Sequence, residues 1–474
     1  MIFSDLRDKV LQHTPIFKRI LEQKGDLSLL DFFQETVGEL SPPVSLSRQE
    51  ELFAVLKNLI DKYIDPAVSD DAIKQLRMNY RVSTTDHHGP LTHPFFANSH
   101  FVRSLANEQR GHNCVFVFSV GGVSLNNSSF PRGFFFHNQN LKEERLSFFS
   151  LRYRQHPVFT LPRFQESDVS AVIGEIDKKQ SYSSELKKRL QEAAREICFQ
   201  PRLFSARYYS EQITFLNYQL WKKMPGQSAV NLIYLEQENI ANEILLAYHL
   251  GRDTILSRLL TDESALRAFE KCFDGISGAF SSEGSHGTML FWAVQGGKRK
   301  RLIRDGLTLV SDDELCRVAL ESNALREAIL KKEIMPSMAL TFIVLSFYYG
   351  LSCGGGFLQV SYLTAMKDAY RSLLQTIGAG RNEIDQLASI STDYFCGEFV
   401  LVTLASGASN VPATPFDFLL YANQDTVSRL RSIAARCMVN EAVDQMMPEL
   451  YKIVYGEATD ILPPRFSYEP TMFI

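Results

Sequence analysis

The seven cysteines of this 474-residue chain, at positions 114, 198, 272, 316, 353, 396 and 437, include no C-x-x-C pair. That absence excludes the common zinc-finger and dithiol redox patterns. A scattered, odd-numbered set reads as reduced, mostly buried thiols in a cytoplasmic protein. Positive charge is not in excess. With 50 Lys and Arg against 54 Asp and Glu, the formal charge is −4, so no global basic field recruits nucleic acid. Apolar runs long enough for a membrane are also missing. Residues 334–366 carry no charge. Pro336 opens their apolar core and a glycine run closes it, leaving about 16 residues where a spanning helix needs about 20. The expectation is a buried helix over 337–350, with no membrane involvement. The opening residues, MIFSDLRDKV, reach a charge by position 5 and lack the apolar stretch of a secretory signal. The H-E-x-x-H, G-x-S-x-G, G-x-G-x-x-G and Walker A patterns are all absent.

Phenylalanine is abundant, with 34 residues against two tryptophans, which favours an aromatic core or a ring-lined pocket. Helical spacing dominates. Leu6, Val10, Phe17 and Leu21 share one face, interrupted at Pro15. Ser47 and Glu50 are spaced as a capping box, as are Ser311 and Glu314. His93 and Pro94 predict a helix start, with the helix running to about 108 and closing at Gly111. Strands are expected near 114–120, 134–138, 230–235, 288–294 and 301–310, the last two as one hairpin with a basic turn. The fold class that follows is a helix-rich α/β or α+β protein, a small mixed sheet surrounded by helices. The chain divides into a helical segment (1–80), a core segment (81–160) and a helix-rich remainder (161–474), which one continuous domain also accommodates.

Candidate chemistry concentrates in one third of the chain. Seven of the ten histidines lie between 87 and 156, four of them in YRVSTTDHHGPLTHPFFANSH. Imidazole and carboxylate are ligands for zinc, iron or manganese and are also acid–base groups. Asp86, His87 and His88 are therefore catalytic candidates. His87, His88, His93 and His100 are candidate ligands for a divalent metal ion. The Asp86-His87-His88 triplet resembles that of the DHH phosphoesterases, whose site holds two manganese ions. The resemblance covers these three residues alone. The aspartate-bearing strands that precede the triplet in that family have no counterpart in the helical 1–80 segment. The late Gly354-Gly355-Gly356 run lacks the histidine that follows the family's glycine-rich motif, so no activity is carried over.

The second candidate is SVGGVSLNNSSFPRG, a buried strand that runs into two glycines. Its backbone amides can converge on an anion. Gly121, Gly122, Ser124, Asn126, Asn127 and Arg132 are candidate substrate contacts, with Gln359 beside the later glycine run. The alternative for this loop is a turn whose Asn and Ser residues bond their own backbone. Cys353 reads as a buried thiol, His286 as a solvated loop histidine, and the basic run 298–304 as a solvated hairpin tip. Glu236, Glu238 and Glu243 read as first-turn acids that favour a helix dipole.

The expected function is an enzyme acting on a small anionic substrate by metal-assisted hydrolysis or group transfer. The first alternative is a metal-free transferase or ligase that uses a nucleotide or acyl-phosphate. The second is a non-enzymatic interaction protein.

Overall fold

The short apolar run CVFVFS can bury both of its faces only as an inner strand of a parallel sheet, and that is its position. The computed structural model describes residues 2–91, 93–283 and 286–474. It is 51% helix and 16% strand in several small sheets, a helix-rich α/β or α+β fold. The central sheet contains β1 (Arg81–Ser83), β2 (Cys114–Ser119), β3 (Asn231–Glu236) and β4 (Ser352–Gly354), in the order β4-β1-β2-β3. Every neighbouring pair is parallel. β2 and β3 pair without a break from Cys114 opposite Asn231 to Ser119 opposite Glu236.

Side chains alternate between two cores. Val115, Val117, Leu232 and Tyr234 pack into one, with the first three helices and the C-terminal helices. Cys114, Phe116, Phe118, Ile233 and Leu235 pack into the other, on the opposite face. Three helices leave the strands at the same edge of the sheet. They are α1 (Pro94–Gln109), α2 (Gln237–Ile244) and α3 (Gln359–Thr376). α1 starts where the sequence places it. His93 holds the extended N-cap position and Pro94 takes the first helical one.

Several expectations are corrected. Residues 133–137 do not join β2. They pair with 143–147 in a separate two-stranded sheet, because both flanks of β2 are already taken by β1 and β3. Among the described residues the central sheet is one of five small sheets surrounded by helices. The 288–310 region is two hairpins. Phe291–Gln295 pairs with Lys298–Lys300 across Gly296 and Gly297, both at positive φ, and Leu302–Asp305 pairs with Thr308–Ser311. Neither capping box forms. Ser45 is the N-cap of the helix Leu46–Tyr63, and Ser311 ends a strand.

The uncharged segment is buried but is not one regular helix. Met338–Phe342 is α-helical, Ile343–Tyr348 widens into a π-helix, and Ser352–Gly354 becomes β4. Among the described residues, no helix is long and apolar enough to cross a membrane.

Candidate functional site

All four parallel strands end at one edge, the position where open parallel sheets hold ligands. The two stretches singled out by sequence meet there. Val120 N donates to Asp86 O and His88 N donates to Val120 O, each at 2.8 Å.

The four histidines then take different roles. His88 is fully buried and stacked on Tyr234. Its Nε2 donates to Ser210 O at 2.8 Å, and its Nδ1 lies 2.7 Å from Ser119 Oγ. Burial pulls its pKa down to about 4, so the ring is neutral with both nitrogens committed. His100 Nε2 donates to Asp86 Oδ1 at 2.8 Å, both side chains being buried. His93 stacks on Phe96 with ring centres 4.2 Å apart, and its Nδ1 is buried without a partner among the described residues. Burial lowers its pKa to about 4 as well.

His87 also has a hydrogen bond that sets its tautomer. Its Nδ1 lies 2.7 Å from Asn127 Oδ1, which also accepts from Ser129 N at 3.1 Å and so must be the amide oxygen. Nδ1 of His87 therefore carries the proton. Burial lowers the ring's pKa, so Nε2 keeps its lone pair. Only His87 and His93 retain an open nitrogen. His88 and His100 would have to abandon internal partners to serve as metal ligands. Among the described residues, no group of three or more His, Cys, Asp or Glu is arranged to hold a metal ion. The four histidines do not fit one preassembled three-ligand centre.

The glycine loop does bind an anion, and the anion belongs to the protein. Gly121 N and Gly122 N donate to the two carboxylate oxygens of Glu238, at 2.8 and 2.9 Å. Glu238 is in the first turn of α2, delivered there by β3. Arg132 lies over the ring of Phe130, shared with Arg145. Asn127 closes a local turn onto Ser129, and Ser124 accepts from Asn127 N through its carbonyl. Asn126 is exposed. Arg132, Ser124 and Asn126 are thus not gathered around Gly121 and Gly122. Gln359 is also engaged within the protein, donating from Nε2 to Thr84 Oγ1 at 2.6 Å. At the same glycine turn, Glu398 accepts from Phe357 N at 2.8 Å. Cys353 is buried and its thiol pKa is pushed up by that burial.

A cavity of about 470 Å³ opens beside Glu238. Gly122, Glu238, Trp292, Arg299, Met335 and Met338 line it, together with the 275–281 loop. His286 also lines it while remaining exposed, in keeping with its expected solvated role. Arg299 comes from the basic hairpin turn and its guanidinium stacks 4.7 Å from the centre of the Trp292 ring. It makes no direct salt bridge among the described residues, but its charge and the Glu238 carboxylate attract one another. Behind Glu238, the buried carboxyl of Glu236 leaves Oε1 without a partner. Burial raises its pKa to about 8, against the pull of the nearby Lys332. Lys332 Nζ donates to Phe159 O at 2.7 Å and lies about 4 Å from the ring centres of Phe159 and Tyr208.

Glu238, Arg299 and Trp292 were missed as site residues. The one available signal was LEQE at the end of a strong strand, two acids where a parallel strand delivers its ligands. The strand-end histidines and glycines do meet, yet only Gly122 of the expected substrate contacts touches the cavity. No family model matches the sequence, and none of the curated proteins compared with it is similar.

Proposed function

We propose that this chain is an enzyme acting on a small anionic molecule held in the cavity beside Glu238, by hydrolysis or group transfer. The observation that carries this reading is position. The 470 Å³ cavity is of ligand size, and it opens at the C-terminal edge of an all-parallel sheet with an anchored carboxylate in its wall. The substrate's anion pairs with Arg299, since the Gly121 and Gly122 amides are already engaged by Glu238. Burial raises the pKa of Glu238, which makes it a better proton acceptor than an ordinary carboxylate.

Trp292 is one of only two tryptophans and reports on the cavity. Small phosphates and carboxylates are expected to change its fluorescence. Arg299→Met should weaken that response about tenfold or more, as loss of a charge-assisted contact would. A small-molecule extract incubated with the protein, then profiled by mass spectrometry, should lose a compound that the Glu238→Gln variant leaves untouched. No fluorescence response and no consumed compound would sink the reading.

A second reading is favoured by His87. Its tautomer, held by Asn127, presents Nε2 as a base or as a ligand for zinc, iron or manganese beside the open Nδ1 of His93. Metal content of purified protein decides this. Near one equivalent, lost in His87→Ala/His93→Ala, would establish the metal. No uptake on challenge with each ion would leave His87 as a metal-free base only.

A further inference from the structure

We infer that the ligand of this cavity is a flat heterocycle with two adjacent N–H donors on one edge and an acidic group at its other end. A guanine mononucleotide has this form. The inference rests on the reading of the cavity as a ligand site and goes on to name its ligand class.

The two backbone amides hold the Glu238 oxygens side by side, one donor to each. Each oxygen keeps a further lone pair, and an ionised carboxylate only accepts. No direct salt bridge satisfies it among the described residues, although Arg299 on the same cavity attracts it. A buried carboxylate met by two amides and no direct ion pair has room for further donors. Because both oxygens are fixed, the best-matched ligand edge offers two parallel N–H groups with the same spacing.

The walls set the ligand's body. Trp292, Met335, Met338 and Phe280 are broad, soft apolar surfaces. Thioethers pack well on aromatic rings, which favours a flat unsaturated ligand over a branched one. The volume of about 470 Å³ is far more than inorganic phosphate or a simple acid fills. Arg299, which lines the same cavity over Trp292, supplies a cation for an acidic group of the ligand. Guanine offers N1–H and N2–H on one edge. Adenine places a bare ring nitrogen there, which would face the carboxylate lone pairs.

The test uses the full chain and Trp292 fluorescence, with GMP, AMP, guanosine and inorganic phosphate as probes. GMP should bind roughly 10- to 100-fold more tightly than AMP, the discrimination a good bidentate pair gives. Guanosine should bind more weakly than GMP, and Arg299→Met should erase that difference. The nucleotide comparison is made on unaltered protein, so it survives if Glu238→Gln fails to fold. Equal binding of AMP and GMP, or binding of small acids with no binding of GMP, overturns the donor-edge inference while the cavity reading stands. If no probe and no small acid alters the signal, both fall.

Discussion

Two backbone amides and one glutamate carry the residue-scale argument. Gly121 N and Gly122 N would be buried orphans without Glu238. An unmet buried donor costs about 1–3 kcal/mol. Glu238→Ala should therefore lose about 2–4 kcal/mol of stability, with water from the open cavity recovering part of the total. Urea unfolding at constant m-value checks this. A loss below about 0.5 kcal/mol would mean that the clamp contributes little. Glu238→Gln should lose less, because its amide oxygen still accepts from one glycine. The presence of a polar site was legible at this scale, but the assignment of partners was not. His88 bonds Ser210 O, 122 residues away in sequence. Glu238 looked like a helix-dipole acid because local sequence cannot reveal which distant amides a side chain will meet.

At the scale of elements, the turn after β2 is the tightest point of the site. A Cβ on Gly121 would stand within bonding range of Glu236 Oε1, a carboxyl that is itself buried. Gly121→Ala must displace Glu236 towards Lys332 or push the turn out of register. The expected loss is about 1–3 kcal/mol, as for other overpacked cores, together with loss of the Trp292 ligand response. Thermal unfolding and the fluorescence titration test the two effects separately. A fully stable variant that still binds would show that the close approach is unimportant. Elements with strong periodic or turn signals were readable, including β2, β3 and the start of α1 at His93-Pro94. A short strand over 80–85 that delivers Asp86 is readable as β1, but the run that forms β4 reads as a glycine-rich junction between two helices. Each has three residues, and β4 is Ser-Cys-Gly, a composition that favours a turn over a strand. Without β4 the sheet could not be seen as all parallel. The significance of its shared C-terminal edge was hidden with it.

For the whole molecule, two opposed sets of buried ionisable groups set the pH of greatest stability. His88, His93 and His249 are each pulled by burial from an ordinary 6.5 to about 4. Glu236 is pushed from 4.5 to about 8 and Glu398 from 4.5 to about 7, again by burial. Below pH 6.5 the unfolded chain takes up protons at the imidazoles that the native chain refuses, so stability falls towards pH 4. Above pH 4.5 the native chain keeps protons on the two carboxyls that the unfolded chain releases. That contribution falls as pH rises through about 7 and 8. Between 4.5 and 6.5 these imidazoles, with the lowered His87, oppose the buried carboxyls, Glu238 among them, and the two slopes partly offset one another. Above 6.5 the imidazole contribution is complete and the carboxyls lower stability until the depressed Lys332 ammonium acts in the opposite sense, each unmatched proton being worth up to about 1.4 kcal/mol per pH unit. Urea unfolding from pH 4.5 to 8.5 at fixed ionic strength should therefore show a maximum near about pH 6.5. Glu236→Gln should flatten the decline on the alkaline side and steepen the rise between pH 4.5 and 6.5, where Glu236 opposes the imidazoles. A maximum above pH 8, or an unaltered alkaline slope in that variant, would mean that Glu236 is ionised in the native protein. Glu236 and Lys332 would then form a buried ion pair behind the site, and Glu238 would face a charged neighbour rather than a neutral one.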